Sequence, residues 1–208
     1  MIRSKKELKF YIMADMMMNR GKFHWTLKDR IKHIFLPDYI MKYMVSMRWD
    51  AYISNNQLIT PPHLKLLGLY HRLRYRKLGI KLGFSIGSES IGYGAVIPHY
   101  GTIVIGCDNK IGNYAVLHTG TCISNNGKII GDAIYLATGA KITSKVTIGD
   151  NVSVGANSVV NKSFGSNIMI AGVPAKEIKD APAWYIRDGE FYYSKVQQVE
   201  HLKKEMNL

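Results

Sequence analysis

A mainly β fold, a parallel β-helix of stacked hexapeptide coils with a basic helical region before it and a short helical tail after it, is what the sequence predicts. Three observations predict it. First, an aliphatic residue returns every six positions: Ile91 and Ile97, then Ile105, Ile111, Leu117 and Ile123, then Ile130, Leu136, Ile142, Ile148, Val154 and Val160. Two small slips interrupt the period, at Gly101–Val104 and Ser124–Lys128. Second, glycine often follows the aliphatic residue, as at Gly92, Gly106, Gly112, Gly131, Gly149 and Gly155. Third, the fifth position of the hexad is usually small or β-branched, as at Ala95, Ala115, Thr121, Ala140, Val152 and Ser158. A six-residue period does not hold one face of a helix, whose period is about 3.6. It does describe a short strand and a corner, three of which close one coil. No hexad buries its apolar side alone, so the coils must stack to make a core.

The elements follow in order. Residues 5–19 read as a Met-rich packing helix that stops at Arg20-Gly21. Thr26 is placed to cap a second helix to Phe35, before Pro37, and Asp38 a third to Tyr52. Ser54–Asn56 and Pro61-Pro62 mark a loop, and a fourth, strongly basic helix runs from His63 to Leu78. His24, His33, His63 and His71 read as structural or solvated. Three domains result: 1–82 helical, 83–179 β-helix, 180–208 tail. In the tail, Trp184–Ile186 and a turn at Asp188-Gly189 lead to a charged helix from Tyr192 to Met206.

Charge is unevenly spread. Of 28 Lys and Arg, 17 lie in residues 1–82, with only 5 of the 15 Asp and Glu. Such a region suits an acidic neighbour: an anionic membrane surface, an anionic glycan or nucleotide phosphates. No nucleic-acid module is recognisable, so nucleic acid is not expected as a partner. No apolar run approaches the roughly 18 residues of a membrane span. The N-terminal residues lead into no apolar stretch, so a cytoplasmic protein, peripheral at the inner face of the membrane, is expected. Cys107 and Cys122 have no metal-ligand spacing and read as small buried residues, and no metal is expected.

The segments Gly101-Thr-Ile-Val-Ile-Gly, Leu136-Ala-Thr-Gly-Ala-Lys, Val154-Gly-Ala-Asn-Ser-Val-Val and Ala171-Gly-Val-Pro-Ala-Lys resemble the hexapeptide-repeat acyltransferases. The branch is that of the serine O-acetyltransferases and their relatives in surface-polysaccharide synthesis. The resemblance covers about residues 80–179. It implies a left-handed β-helix, a homotrimer and acetyl-CoA as donor.

The slips decide what stacks on what. They place Ile97, Leu117, Leu136 and Val154 on one side of the prism, with coils about 4.8 Å apart. His99, Thr119, Thr138 and Ala156 then form one column, and Pro98, His118, Ala137 and Gly155 the next. Acetyl transfer to a hydroxyl needs a base near neutral pH, for which histidine is suited. The resemblance implies that base at His99, with His118 a second active-site group. It also implies that Thr119, Thr138 and Ala156, flanked by Gly139 and Asn157, receive the pantetheine arm. Lys162 and Lys176 are candidates for the CoA phosphates.

Two departures from serine acetyltransferases bear on the acceptor. Their aspartate partner of the base would fall at Phe84, and their Asp-Arg-His-Pro segment is replaced by Ser124-Asn-Asn-Gly-Lys. A zwitterionic acceptor needs charged partners. The expectation is therefore a sugar hydroxyl, stacked by Tyr93 and Tyr100, with serine the alternative and a non-catalytic scaffold the third.

Overall fold

The computed structural model describes residues 2–56 and 61–208. The side chains of Pro62 and His63 lie outside the described residues, and with them the reading of His63.

Four helices come first: α1 (Lys5–Arg20), α2 (Leu27–Phe35), α3 (Tyr39–Asn55) and α4 (Pro62–Leu82). Thr26 and Asp38 cap α2 and α3 as expected, Ser4 caps α1, and α4 starts at Pro62 without a side-chain cap. Ser4 and Glu7 exchange backbone and side-chain hydrogen bonds at the head of α1, Thr26 and Asp29 do so at α2, and Asp38 accepts from the Met41 amide at α3. Gly21 ends α1 in the left-handed region, at φ 69°. Helix α4 runs past Leu78 to Leu82, because Leu78 and Leu82 both enter the core. Gly79 permits this: a Cβ there would sit 2.7 Å from the Phe84 carbonyl oxygen.

Then the coils begin. One sheet stacks β1 (Phe84–Ile86), β2 (Ile103–Ile105), β5 (Thr121–Ile123), β8 (Lys141–Ile142) and β11 (Val159–Val160). The second holds β3 (Lys110–Ile111), β6 (Ile129–Ile130) and β9 (Thr147–Ile148). The third stacks β4 (Val116–Leu117), β7 (Tyr135–Leu136), β10 (Ser153–Val154) and β12 (Ile168–Gly172), with β13 (Ala175–Asp180) antiparallel at its edge. All other pairings are parallel. Leu117 aligns with Leu136 and Leu136 with Val154, and the other two sides align as the hexads require. These aliphatic residues are almost wholly buried and fill the tube.

Two partial coils lie outside the hexad count. Ile86 pairs with Ile105 although it stands five residues before Ile91, and Phe164 bridges Ile148 only four residues after Val160. Shortened corners hide both from a six-residue period. Cys107 corrects the expectation of burial: it is exposed at a corner, its thiol 3.4 Å from Asp108, whereas Cys122 is half-buried.

At Ile91 and Ile97 the first full coil has a neighbouring coil on one side only, and helices supply the other. Arg48 donates to the carbonyls of Ile91 at 2.7 Å and Gly92 at 2.6 Å, and to both oxygens of Asp15. Asp15 accepts from the Ala95 amide, and Asn19 takes the Ala95 carbonyl and the Ile97 amide. Both members of the ion pair are about 1% exposed. A second apolar cluster covers the outer surface of the third sheet. There Phe10, Met17 and Met18 of α1 meet Tyr93, Tyr114, Trp184 and the terminal helix α6 (Glu190–Glu205), which follows the short α5 (Trp184–Arg187).

Removing one member of a buried pair leaves the other charge uncompensated. Asp15→Ala should therefore lower unfolding stability by about 3–5 kcal/mol, read from urea denaturation followed by circular dichroism. A loss under about 1 kcal/mol would show that the first coil is held by other contacts.

Candidate active site

The corner between the third and first sheets carries the predicted column. The Gly139 amide donates to the Thr119 carbonyl and the Asn157 amide to the Thr138 carbonyl, each at 2.9 Å. The stacking of Thr119, Thr138 and Ala156 is thus a property of the backbone. Thr138, Ala156 and Asn157 are exposed, as are His99 and Tyr100. The Gly120 amide bonds the Thr102 carbonyl and Gly101 meets the Thr119 side chain, so Thr102 rather than His99 aligns beneath Thr119, because the two-residue slip carries His99 out of the column. A Cβ on Gly139 would come within 2.0 Å of the Asn157 side chain, so nothing larger fits between the two. The edge is flat, narrow and continuous.

At its start, the Ile97 amide is held by Asn19, two residues before His99. His118 follows Leu117 and is half-buried. Burial first, and then the charge of nearby His99, push its imidazole below the ordinary value, while Asp188 pulls it up. The ring lies 5.2 Å from that of Tyr135. Arg187 sits over the other neighbour of this group, 4.7 Å from the Tyr135 ring, and binds Ser153 Oγ and Asp188. The tail therefore brings a guanidinium and a carboxylate to the sheet beside His118. The sequence did not single out Arg187 or Asp188; they lie in the tail and have no repeat to place them.

The other candidates divide. Lys176 is on β13 opposite Ala171, whose Cβ would lie 2.9 Å from one on Gly155, so it stands at the far end of the edge. Lys162 follows β11 on the next corner, its ammonium 5.3 Å from the Phe164 ring, and the first sheet separates it from the column. Tyr93 is buried, not open to a ligand. Its hydroxyl binds Glu200 at 2.9 Å, its ring packs against Phe10, Tyr11 and Tyr114, and burial followed by Glu200 pushes its phenol far up. Phe84 points into the core, and its neighbour Ser85 is the outward residue of β1. The corner at Ser124–Lys128 is closed on itself: Lys128 Nζ donates to the carbonyls of Ser124 and Asn125. In the helical region His71 is buried against Trp49, and burial holds its pKa at about 4, the behaviour of a packed histidine.

Comparison with known proteins decides the family. A serine acetyltransferase of Staphylococcus xylosus is 33% identical over 173 residues, which span 76% of this chain and 79% of the relative. The chain belongs to the serine acetyltransferase family. It is an acetyl-CoA-dependent O-acetyltransferase. The Staphylococcus aureus serine acetyltransferase is 28% identical over 165 residues, 69% of this chain and 76% of its own. No family model matches the chain. Among solved structures, serine acetyltransferase from Brucella abortus aligns over 85% of this chain and 69% of its own at a TM-score of 0.59 and 21% identity. The Neisseria gonorrhoeae enzyme in complex with serine aligns over 85% and 71% at the same score and identity. A serine acetyltransferase in complex with CoA aligns over 82% and 68%, with a TM-score of 0.54 and 20% identity. These likenesses show the shared left-handed β-helix.

The electrostatics around His118 give a signed expectation. Asp188→Asn removes the group that raises its pKa, so titration followed by NMR should shift to lower pH. His99→Ala removes a neighbouring positive charge and should shift it to higher pH. Shifts of the opposite sign would show that these side chains do not share one edge in solution.

Proposed function

We propose that the chain transfers the acetyl group of acetyl-CoA directly to the hydroxyl of serine, with His99 as general base. The observation that carries the acceptor is the 33% identity to a serine acetyltransferase over most of both chains. Two structural findings weaken the expectation of a sugar. Tyr93, offered as a stacking platform, is enclosed in a core. Phe84, offered as the reason for a missing partner to the base, never faces the edge. Arg187 and Asp188 also stand near His118, paired with each other at 2.7 Å, and would have to part to meet a zwitterionic acceptor.

The step is simple. The exposed His99 imidazole takes the acceptor hydroxyl proton as the oxygen attacks the thioester carbon. The carbon–sulfur bond breaks, and the departing thiolate recovers the proton from the imidazolium. A ternary complex suffices, and Cys107 and Cys122 stand on or beside the first sheet, away from the column. The flat edge of Thr119, Thr138, Gly139, Ala156 and Asn157 fits a slim pantetheine arm, with Lys176 at its end for phosphate. Lys162 lies on another corner, so in a homotrimer it would reach the donor only from another copy of the chain.

A second reading, transfer to a neutral sugar hydroxyl, is favoured by two features. The Ser124–Lys128 corner offers no free charge, because its one lysine is turned inward. Exposed Tyr100 remains available to stack on a ring.

Thiol release from acetyl-CoA, with serine and a panel of sugars and glycans as acceptors, separates the two. Serine turnover should exceed that of every saccharide; transfer to a glycan with none to millimolar serine would reverse the order. In the same assay His99→Ala should lose roughly 10²–10⁴-fold in kcat with CoA affinity unchanged. Near-normal turnover of that variant would move the base to His118. Ala156→Trp should abolish CoA binding in calorimetry while the melting curve stays that of the parent; normal binding would put the donor on another edge.

A further inference from the structure

Helix α2 is amphipathic with its polarity reversed. None of its residues is buried. Leu27, Ile31, Ile34 and Phe35 occupy one arc of the helix, and their exposures are 75%, 53%, 73% and 79%. Leu36, just beyond, is 66% exposed. The polar side meets the protein instead: Asp29 pairs with Lys22 at 2.8 Å, and the His33 ring stands 4.2 Å from Trp25. Arg30 and His33 line a hollow shared with Asp38 and with Arg74 of α4. On that neighbouring helix Leu69, Tyr70 and Leu73 are exposed as well. An apolar patch of this extent on a protein surface marks an interaction site.

The charge around the patch says what kind. All five acidic residues of region 1–82 are engaged within it: Glu7 in the α1 cap, Asp15 with Arg48, Asp29 with Lys22, Asp38 with Arg20 and Asp50 with Arg72. Lys28, Arg30 and Lys32 flank the apolar arc and are exposed, and Arg76 and Lys77 are exposed on α4. A second copy of the same surface would set like charges against one another. An apolar arc rimmed with Lys and Arg is instead the composition of a helix that lies in a lipid interface. Among the described residues no helix is long and apolar enough to cross a membrane. From these observations we infer that α2, with the adjoining stretch of α4, lies flat on an anionic lipid bilayer, its apolar arc below the headgroups and its basic rim against the lipid phosphates.

The capping box of Thr26 and Asp29 pre-forms the helix, so docking need not order it. The inference does not depend on which acceptor is acetylated, since binding is read without turnover.

Flotation of the full chain with vesicles tests it. The protein should float with equimolar phosphatidylglycerol and phosphatidylcholine and remain behind with phosphatidylcholine alone, and added salt should weaken the association. Ile34→Ser with Phe35→Ser leaves the charge unchanged, and should reduce flotation at least about tenfold with the rate of thiol release from acetyl-CoA unaltered. Failure of the parent to float with the anionic vesicles would overturn the inference, as would flotation of the double variant equal to the parent's. A drop in particle mass of the double variant, measured by light scattering without lipid, would also overturn it and assign the face to contact between copies.

Discussion

A β-helix leaves unpaired backbone groups at its ends, and the rest of this structure depends on how the first end is closed. Arg48 and Asp15 do it together. The guanidinium reaches two carbonyls of the first full coil, and the carboxylate holds the guanidinium while accepting an amide from the same coil. Asn19 continues the pairing to Ile97. Three polar side chains on two helices thus imitate part of a preceding strand. Because each buried group is answered by several partners, the charges can be taken out of water without being left unpaired. The same contact fixes α1 and α3 on the coils, so it fixes the whole helical region. Asn19 also ties this closure to the backbone two residues before His99, which links fold and chemistry through one side chain.

The tail works from the opposite direction. Trp184 donates its indole N–H to the Tyr114 carbonyl, and Glu200 of α6 accepts from the hydroxyls of Tyr93 and Tyr114. These bonds seat the tail on the outer surface of the third sheet. Once it is seated, Arg187 stands over Tyr135 and Asp188 acts on His118. A segment that looks like a brace therefore sets the electrostatics of one side of the candidate site. The exposed arc of α2 belongs to neither core. Its exposure follows from the polar side being the one turned to the protein, which leaves the apolar side to meet something else.

The hexads were legible because burial of a repeating aliphatic residue leaves a period that no other fold shares. From that period came the three sheets, the two loops, the stacking of Ile97 under Leu117, Leu136 and Val154, and hence the column of Thr119, Thr138 and Ala156. The slip after Ile97 kept His99 out of it, since Thr102 takes the place beneath Thr119. The starts of α2 and α3 were legible from Thr26 and Asp38, since capping is local chemistry. The partial coils at Ile86 and Phe164 were not, because a shortened corner breaks the period while the strand pairing persists. Tyr93 shows the limit for a site residue: its place in the Ile91 hexad puts it on the corner between the second and third sheets, one side away from His99, and the packing of α1 and α6 encloses the ring.

The sequence by itself determined the β-helix, the register of its coils and the edge on which Thr119, Thr138 and Ala156 align, since each follows from contacts between neighbours one coil apart. The tertiary structure alone decided which outward residues are free. Tyr93 was enclosed by α1 and α6, Arg187 and Asp188 arrived beside His118, and α2 showed its apolar side to solvent. The physical reason is that each of these outcomes depends on elements distant in sequence meeting in space, and a local period carries no information about such meetings.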